Sequence, residues 1–276
     1  LQIRLIAAAR VASLHGQLAE QRTELEGLNH RLADTNEELR NLDRLKDEFV
    51  ALVSHELRTP LTSIAGYVNA LQRGRAGVVP PQQRELLSIV DRNAQRLTRV
   101  VSDLLLGATA DAGKLQLERE PLEVGAVVRQ AVESARPRAA EQRVRLELFL
   151  SEPAHVFADH ARLLQVFDNL FSNAIKFSPA GGTVDVHVSS AGSSAAIEVR
   201  DEGIGIPHAE QEHLFRRFFR ASTATSREIP GSGLGLNIAK TIVDLHEGTI
   251  EVRSREDIGT TFVVTLPLAL AQEAAA

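Results

Sequence analysis

The segment His160–Phe177, with the sequence HARLLQVFDNLFSNAIKF, predicts an amphipathic helix that decides the fold of the second half of the chain. Asn169, Asn173 and Lys176 are spaced by four and three residues, which places them on one stripe of this helix. The opposite stripe is apolar and consists of Leu163, Leu164, Phe167, Leu170, Phe171, Ala174 and Ile175. A helix with one apolar face has to pack on another layer of structure.

That layer is predicted by runs typical of β-strands on both sides of the helix. The predicted strands are Arg145–Leu150, Thr183–Ser189, Ala195–Arg200, Thr249–Arg253 and Thr260–Leu266. Two further helices are predicted at Val124–Ala140 and Leu234–Glu247, and turns at 181–182 and 191–194. The expected fold is an α/β sandwich with one helical layer on one mixed sheet.

The first part of the chain has a different composition. No proline precedes Pro60, and nine of the ten phenylalanines follow residue 140. Two lines of positions seven residues apart are apolar at eight of ten places, which favours a two-stranded coiled coil over one helix of a monomeric bundle. The lines are Val11, Leu18, Leu25, Leu32 and Leu39, and Leu14, Gln21, Leu28, Thr35 and Leu42.

A helical hairpin is predicted between the coiled coil and the sandwich. A second helical pattern runs from about Gln82 to Ala108, and the residues 73–81 before it contain two glycines and a proline pair that break the helix. Two antiparallel helices per chain, dimerised through the coiled coil, form a four-helix bundle. The predicted divisions are 1–46 for the coiled-coil linker, 47–112 for the hairpin, 113–270 for the sandwich and 271–276 for a tail.

The composition excludes several classes of protein. Cysteine is absent, which excludes disulfides, thiolate metal sites and cysteine nucleophiles. The formal charge of −5 speaks against a nucleic-acid binder. No stretch approaches 18 uninterrupted apolar residues, so we expect neither a membrane-spanning segment nor a signal peptide in these residues. The chain begins at Leu1 and has no methionine, so we expect a piece of a longer product. We also expect a cytoplasmic location for this piece, and the membrane anchoring of the parent protein stays open.

The segment Ser54–Leu61, with the sequence SHELRTPL, carries the candidate nucleophile. His55 follows the seam residue Val53 by two positions, about 200° around a helix, and so points away from the core. Glu56 can accept from one ring nitrogen of the imidazole, which leaves the other as a nucleophilic lone pair.

Two neighbours complete this candidate site. Thr59 lies four residues after His55, on the same helical face, where its hydroxyl can hold a water molecule. Pro60 removes a helical donor and is expected to bend the helix. The alternative is an ordinary surface histidine, whereas a zinc-protease helix is disfavoured because the second histidine is missing.

Three further segments suggest a nucleotide site, although each also has a plain structural reading. Asn169, Asn173 and Lys176 can serve a magnesium–triphosphate, since amide oxygens are hard ligands; the alternative is an ordinary amphipathic helix. Asp201–Pro207, with the sequence DEGIGIP, ends a predicted strand with a carboxylate that can accept from the exocyclic amine of adenine; the alternative is a β-turn.

The third segment is Gly231–Leu236, with the sequence GSGLGL, which opens a predicted helix and favours an anion. It is neither a P-loop nor a dinucleotide fingerprint. The stretch before it, from Leu214 to Arg227, looks like a lid in which Arg217 or Arg220 can reach a γ-phosphate. The alternative is a flexible surface loop.

Together and in this order, the motifs resemble those of two-component sensor histidine kinases, from about Leu42 to Leu268. Small departures are Arg216, Phe219 and Asn237, where an acidic residue, tyrosine and a small residue are frequent. The matching boxes are Ser54–Leu61 (phosphoacceptor), Asn169–Phe177 (asparagine), Asp201–Ile206 (first glycine), Phe215–Arg220 (phenylalanine), Gly231–Leu236 (second glycine) and Gly259–Phe262 (closing strand).

The resemblance implies a role for each of these residues. His55 would be phosphorylated, Glu56 would act as base or orienting group, and Thr59 would position water. Asn173, and Asn169 with it, would hold Mg²⁺. The implied ATP-binding residues are Asn169, Asn173, Lys176, Asp201, Gly203, Gly205, Arg217, Gly233, Leu234 and Gly235, with Arg220 meeting the γ-phosphate.

The implied activity is ATP-dependent autophosphorylation, phosphotransfer to an aspartate of a response-regulator receiver domain, and a phosphatase activity toward that regulator. The implied assembly is a homodimer that takes its input from an upstream sensor domain. Competing hypotheses are a nucleotide-binding scaffold, an ATPase or chaperone that shares the asparagine and glycine boxes, and a structural coiled-coil adaptor.

Overall fold

The computed structural model describes residues 21, 22, 35, 37, 53, 56, 57, 59–73, 77, 79–111, 115–227, 229 and 231–269. The chain divides into two compact units, Leu1–Val53 and Ser54–Ala276. In the first unit, residues 21, 22, 35 and 37 are helical. The rest of the predicted coiled coil, and the predicted tail 271–276, lie outside the described residues.

Two helices begin the second unit. Residues 59–72 form α1, and Pro81–Asp111 form α2. The chain is helical on both sides of Pro60, since residues 56 and 57 are also helical, so this proline does not end the helix. Pro81 opens α2, where a missing backbone donor costs nothing, and the predicted break between the helices is confirmed at residues 73–80 as far as they are described.

The α/β sandwich follows, and its elements agree with the predicted ones within a few residues. They are β1 (Glu120–Glu123), α3 (Val124–Glu141), β2 (Arg145–Leu150), β3 (His155–Ala158), α4 (His160–Phe177), β4 (Thr183–Ala191), β5 (Ser194–Asp201), α5 (His208–Gln211), α6 (Ser222–Ser226), α7 (Gly235–Leu245), β6 (Thr249–Arg255) and β7 (Gly259–Pro267).

The main sheet is mixed, as predicted. Its strand order is β2-β4-β5-β7-β6, in which β2 pairs parallel with β4 and the other pairs are antiparallel. A second, two-stranded sheet joins β1 to β3, and α5 and α6 are single short turns of helix; none of these was predicted. Each of these four elements has only four or five residues, which is too short to show a periodicity in the sequence.

One face of the main sheet packs on α3, α4 and α7. Side chains alternate along β5, so that Ile197 and Val199 are buried while Glu198 points to the other face. The buried stripe of α4 supplies Phe167 and Phe171, whose rings stack with centroids 6.2 Å apart. This packing fixes the rotation of α4 and therefore the direction of its polar stripe.

A buried histidine joins the ends of α4 and α7. His246, 2 % exposed, donates from Nδ1 to the carbonyl of Ile242 at 2.8 Å and accepts at Nε2 from the amide of Asp159 at 2.9 Å. Burial lowers the pKa of His246, so the ring is held neutral. Asp159 in turn caps α4 by accepting from the amide of Arg162 at 3.0 Å and also accepts from the amide of Glu118 at 3.1 Å. These bonds hold α4 beside α7.

Candidate nucleotide-binding site

A cavity of about 370 Å³ lies where α4, the end of β5, the lid and the start of α7 meet, and α2 forms a further wall. It brings together eight of the residues that the sequence nominated. These are Asn169, Asn173, Lys176, Asp201, Gly205, Arg220, Gly233 and Gly235.

The polar stripe of α4 faces this cavity, as its spacing predicted. Asn169, Asn173 and Lys176 all line it. The side-chain amide of Asn169 donates to the carbonyl of Gly235 at 3.1 Å, and a Cβ at Gly235 would lie 3.2 Å from Asn169 Oδ1. The absence of a side chain at Gly235 therefore lets the first turn of α7 approach the asparagine stripe closely.

Positive charge collects beside this stripe. Lys176 Nζ lies 4.3 Å from the centre of the Phe177 ring. A Cβ at Gly231 would lie 3.1 Å from the same Nζ. Burial, and then the positive charges of Arg220 and Arg96, lower the pKa of Lys176 to about 8. Like charges that converge in a cavity repel one another, and a bound polyanion would relieve the repulsion. The charges therefore suit phosphates.

Asp201 is the buried acceptor at the other part of the cavity. It is 5 % exposed, and its Oδ1 accepts from the amides of Gly203 at 2.8 Å and Thr260 at 3.2 Å. Burial raises its pKa to about 6, against the opposing effect of these two bonds, so Asp201 is ionised at neutral pH. No hydrogen bond from the described part of the chain reaches Oδ2. This oxygen can accept from an exocyclic amine of a ligand.

Two glycines at the cavity have backbone conformations that exclude a side chain. Gly205 has φ +64°, and a Cβ there would lie 2.0 Å from the carbonyl oxygen of Arg255. Gly233 has φ +72°, and a Cβ there would lie 2.7 Å from the carbonyl carbon of Phe218. Substitution at either position would move the loops that form the wall of the cavity.

The two arginines of the lid, between which the sequence pattern alone could not choose, lie in different places. Arg220 lines the cavity, and its guanidinium donates to the carbonyl of Ile229. Arg217 does not line it: Nη2 donates to the carbonyl of Gly107 at 2.9 Å, and Nε donates to Asn237 Oδ1 at 3.3 Å. Arg217 therefore contacts α2.

Part of the predicted lid forms the short helix α6. Thr223 of this helix is buried and donates from its hydroxyl to the carbonyl of Gly205 at 3.2 Å.

Two other residues that the sequence analysis assigned to the site lie behind the cavity wall: Gly203 donates its amide to Asp201, and Leu234 is buried at 2 % exposure. Neither of them lines the cavity.

Residues of α2 were missed as part of the site. Arg96, Arg99, Val100 and Asp103 line the cavity. Asp103 is 6 % exposed, and burial raises its pKa to about 6, against the attraction of Arg99. No local signal marks these positions as site residues, because charged residues at helical spacing are usual on the solvated face of a helix, and only the packing of α2 brings them to the cavity.

The phosphoacceptor segment is described only in part. His55 lies outside the described residues, whereas Glu56 and Thr59 are helical and exposed. Across the described part of the chain, no group of three histidines or carboxylates that could hold a metal ion is found. The amide oxygens of Asn169 and Asn173 fit Mg²⁺ in another way, because Mg²⁺ in proteins takes few protein ligands and uses phosphates and water as the others.

Comparison with known proteins identifies the class. Residues 45–113 match the family model of the His Kinase A (phospho-acceptor) domain, and residues 158–270 match that of the histidine kinase-, DNA gyrase B- and HSP90-like ATPases. The chain belongs to the two-component sensor histidine kinase family, and its domains are those of an ATP-using protein-histidine kinase. The phospho-acceptor match speaks against the alternative of a plain ATPase or chaperone.

Particular relatives support this assignment. The chain is 37 % identical over 268 residues to the circadian input-output histidine kinase CikA of Synechococcus elongatus, covering 93 % of this chain and 35 % of that protein. It is 36 % identical over 255 residues to the sensor histidine kinase WalK of Bacillus subtilis, covering 90 % of this chain and 41 % of WalK. The chain thus spans well under half the length of these curated relatives.

Solved structures share the fold, and one of them is described as a histidine kinase. Full-length ShkA in complex with AMPPNP aligns with a TM-score of 0.67 and 28 % identity over 80 % of this chain and 46 % of ShkA. Acinetobacter baumannii AdeS aligns with a TM-score of 0.56 and 26 % identity over 78 % of this chain and 98 % of that chain.

Among the described helices, none is long and apolar enough to cross a membrane.

Proposed function

We propose that this chain is the core of a sensor histidine kinase that phosphorylates His55 with ATP and passes the phosphoryl group to an aspartate of a response-regulator receiver domain. The observation that carries the proposal is the single cavity that gathers Asn169, Asn173, Lys176 and Asp201, in a chain that also has the phosphoacceptor sequence SHELRTPL. Cavity and acceptor histidine together define an autokinase.

Each part of ATP has a counterpart in the cavity. The free oxygen of Asp201 accepts from the adenine amine, and Gly205 lets the backbone approach the ring. Lys176 and Arg220 bind phosphate oxygens through charge-assisted hydrogen bonds. Asn173, with Asn169, would hold Mg²⁺, which neutralises charge between the phosphates. Gly233 and Gly235 are proposed to complete the ATP-binding set, and Gly203, Arg217 and Leu234, which do not line the cavity, are proposed to support it from behind its wall.

The transfer itself needs little covalent chemistry from the protein. A ring nitrogen of His55 attacks the γ-phosphorus in line, the bond to the β,γ-bridging oxygen breaks, and ADP leaves. Glu56 accepts a hydrogen bond from the other ring nitrogen, which keeps the lone pair on the attacking nitrogen, and it takes up that proton once the N–P bond has formed. In the second step an aspartate oxygen of the regulator attacks phosphorus and the N–P bond breaks. In the separate phosphatase reaction, Thr59 holds the water that attacks the aspartyl phosphate; the bond between phosphorus and the aspartate oxygen breaks, and inorganic phosphate leaves.

A homodimer is proposed from the surface of the two helices. Large apolar side chains of α1 and α2 are exposed on the single chain, which is unusual unless a partner covers them. Tyr67 is 75 % exposed and Leu86 63 %. The others are Ile64, Ile89, Val90 and Leu97. The second copy of the hairpin would cover these residues in a four-helix bundle built from 47–112, with the catalytic domain at 113–270 outside it. We also propose that an upstream sensor domain drives the dimer and that the core works in the cytoplasm.

Label from γ-labelled ATP tests the function. The wild-type chain should take up acid-labile label, and His55→Ala should take up none while it binds a non-hydrolysable ATP analogue as the wild type does. His208→Ala is the matched control, because His208 is exposed at the start of α5 and should leave labelling unchanged. Acid-labile label on His55→Ala would contradict the assignment of the acceptor.

A further inference from the structure

Helix α2 is part of the nucleotide cavity although it belongs to the helical hairpin. Arg96, Arg99 and Asp103 follow one another at intervals of three and four residues, which places them on one face of α2, and all three line the cavity. Leu106, one turn further on, belongs to the same buried cluster as the core of the catalytic domain. The last four turns of α2 are therefore packed on that domain.

A contact at the end of α2 holds this arrangement. Arg217 of the lid donates to the carbonyl of Gly107, and a Cβ at Gly107 would lie 3.0 Å from Arg217 Nη2. Arg217 also donates to Asn237, which in turn donates to the carbonyl of Phe215 at 2.9 Å. The lid, the first turns of α7 and α2 are thus connected through one guanidinium, so the position of α2 over the cavity is defined.

The arginines of α2 are not equivalent in charge. Arg99 is attracted by the buried carboxylate of Asp103, which offsets its charge. Arg96 makes no hydrogen bond or ion pair with any residue that the structure describes. Its charge instead acts on Lys176, whose pKa it lowers together with Arg220. Arg96, Arg220 and Lys176 therefore converge on one part of the cavity without a described carboxylate to neutralise Arg96.

We propose that Arg96 is a phosphate-binding residue of the nucleotide site, supplied to it by the helical hairpin. The inference rests on the proposed function and deepens it, because it concerns the phosphates of the same nucleotide. An arginine on the cavity wall beside two other cations binds a phosphate oxygen with charge-assisted hydrogen bonds. By reciprocity, nucleotide that contacts Arg96 stabilises the docked position of α2, and docking raises the affinity for nucleotide.

Nucleotide affinities of the complete chain test this inference. In the presence of Mg²⁺, Arg96→Ala should weaken binding of a non-hydrolysable ATP analogue by about tenfold, as expected for one lost hydrogen bond to a charged group. AMP affinity should change by less than about twofold, since AMP lacks the β- and γ-phosphates. Arg92→Ala is the matched control: Arg92 lies four residues earlier on α2, is exposed and bonds to Ser88 Oγ at 3.4 Å. It should bind both ligands as the wild type does.

Proton uptake gives a second, independent readout. At pH 8 about half of the Lys176 side chains are neutral, because the pKa is about 8. Bound phosphates raise this pKa, so calorimetry in buffers of different ionisation enthalpy should detect proton uptake by the wild type. Arg96→Ala removes one of the charges that lower the pKa of Lys176, so the uptake should decrease, whereas Arg92→Ala should leave it unchanged.

The outcomes separate this inference from the proposed function. If Arg96→Ala binds the ATP analogue with wild-type affinity while Asn173→Ala loses it, the nucleotide site stands and the role of Arg96 is wrong. An equal loss of AMP and ATP affinity in Arg96→Ala also overturns the phosphate role. If the wild-type chain binds no ATP analogue at all, the proposed function itself fails.

Discussion

Replacing the buried carboxylate of Asp201 by an amide should separate stability from binding. Asp201→Asn keeps the shape of the side chain and an Oδ1 that can accept from the amides of Gly203 and Thr260. It removes the negative charge and replaces Oδ2 by an amide nitrogen, which donates hydrogen bonds instead of accepting them. We therefore expect a more stable chain that no longer recognises adenine.

The gain in stability follows from the pKa. Burial raises the pKa of Asp201 from 3.8 to about 6, so the unfolded chain binds protons less tightly than the folded one. In wild type, the stability that the tighter proton binding of the folded chain contributes is fully present below pH 3.8 and is lost as the pH rises through about 6. A difference of about two in pKa corresponds to about 3 kcal/mol, the upper bound of the gain at pH 8, and about half of it is present at pH 5.

The loss of affinity follows from the hydrogen bond. A bond to a charged acceptor contributes about 1.5 to 3 kcal/mol, so ATP should bind about 10- to 150-fold more weakly to Asp201→Asn. The new amide nitrogen can donate to a 6-oxo base, so inosine triphosphate should be preferred over ATP. Calorimetric titrations with both nucleotides measure this reversal.

Urea unfolding of Asp201→Asn and wild type at pH 5 and pH 8 measures the stability. Asp103, whose pKa is also raised to about 6, titrates in both proteins and cancels in the difference. Asp185→Asn, on β4 outside the cavity, should change neither stability nor nucleotide preference. Unchanged ATP affinity in Asp201→Asn, or a stability difference that does not grow with pH, would refute the reasoning.

Three further outcomes are expected. Asn173→Ala should lose Mg²⁺-dependent ATP binding, because the amide oxygen that fits the ion is gone; calorimetry with and without Mg²⁺ measures this, and unchanged affinity would exclude the magnesium role. Thr59→Ala should autophosphorylate normally but dephosphorylate the regulator more slowly, which a time course of phosphorylated regulator would reveal; a normal rate argues against the water-holding hydroxyl. Sedimentation should give a dimer at micromolar concentration, and a clean monomer would count against the covered apolar faces of α1 and α2.

The sequence predicted those elements whose signals are local. The bounds of α4 are as predicted, because the period of its apolar residues is unbroken and Asp159 supplies a cap. Helix α7 begins at Gly235 and not at Leu234, and it ends at Leu245, since glycine-rich ends carry little periodicity. The pair β1 and β3 escaped prediction because four residues are too few for an alternation to stand out.

The residues of the candidate site were also predictable where their signals are local, and not where they depend on tertiary packing. Asn169, Asn173, Lys176 and Asp201 were identified because each lies at a fixed position on its own helix or strand. The choice between the lid arginines was not predictable, because Arg217 and Arg220 differ in their tertiary partners and not in their local sequence. Residues of α2 such as Arg96 were missed for the same reason, since only the packing of α2 on the catalytic domain brings them to the cavity.

Mapping the phosphorylated residue after incubation with Mg²⁺ and ATP tests the autokinase assignment. Peptides prepared at neutral to alkaline pH preserve an N–P bond, and fragmentation that retains it locates the phosphate on one residue. The phosphate should lie on His55 in the wild-type chain and be absent when Asn173→Ala prevents ATP binding. Phosphate on another residue of the wild type, or its persistence on His55 in the Asn173→Ala variant, would contradict the assignment.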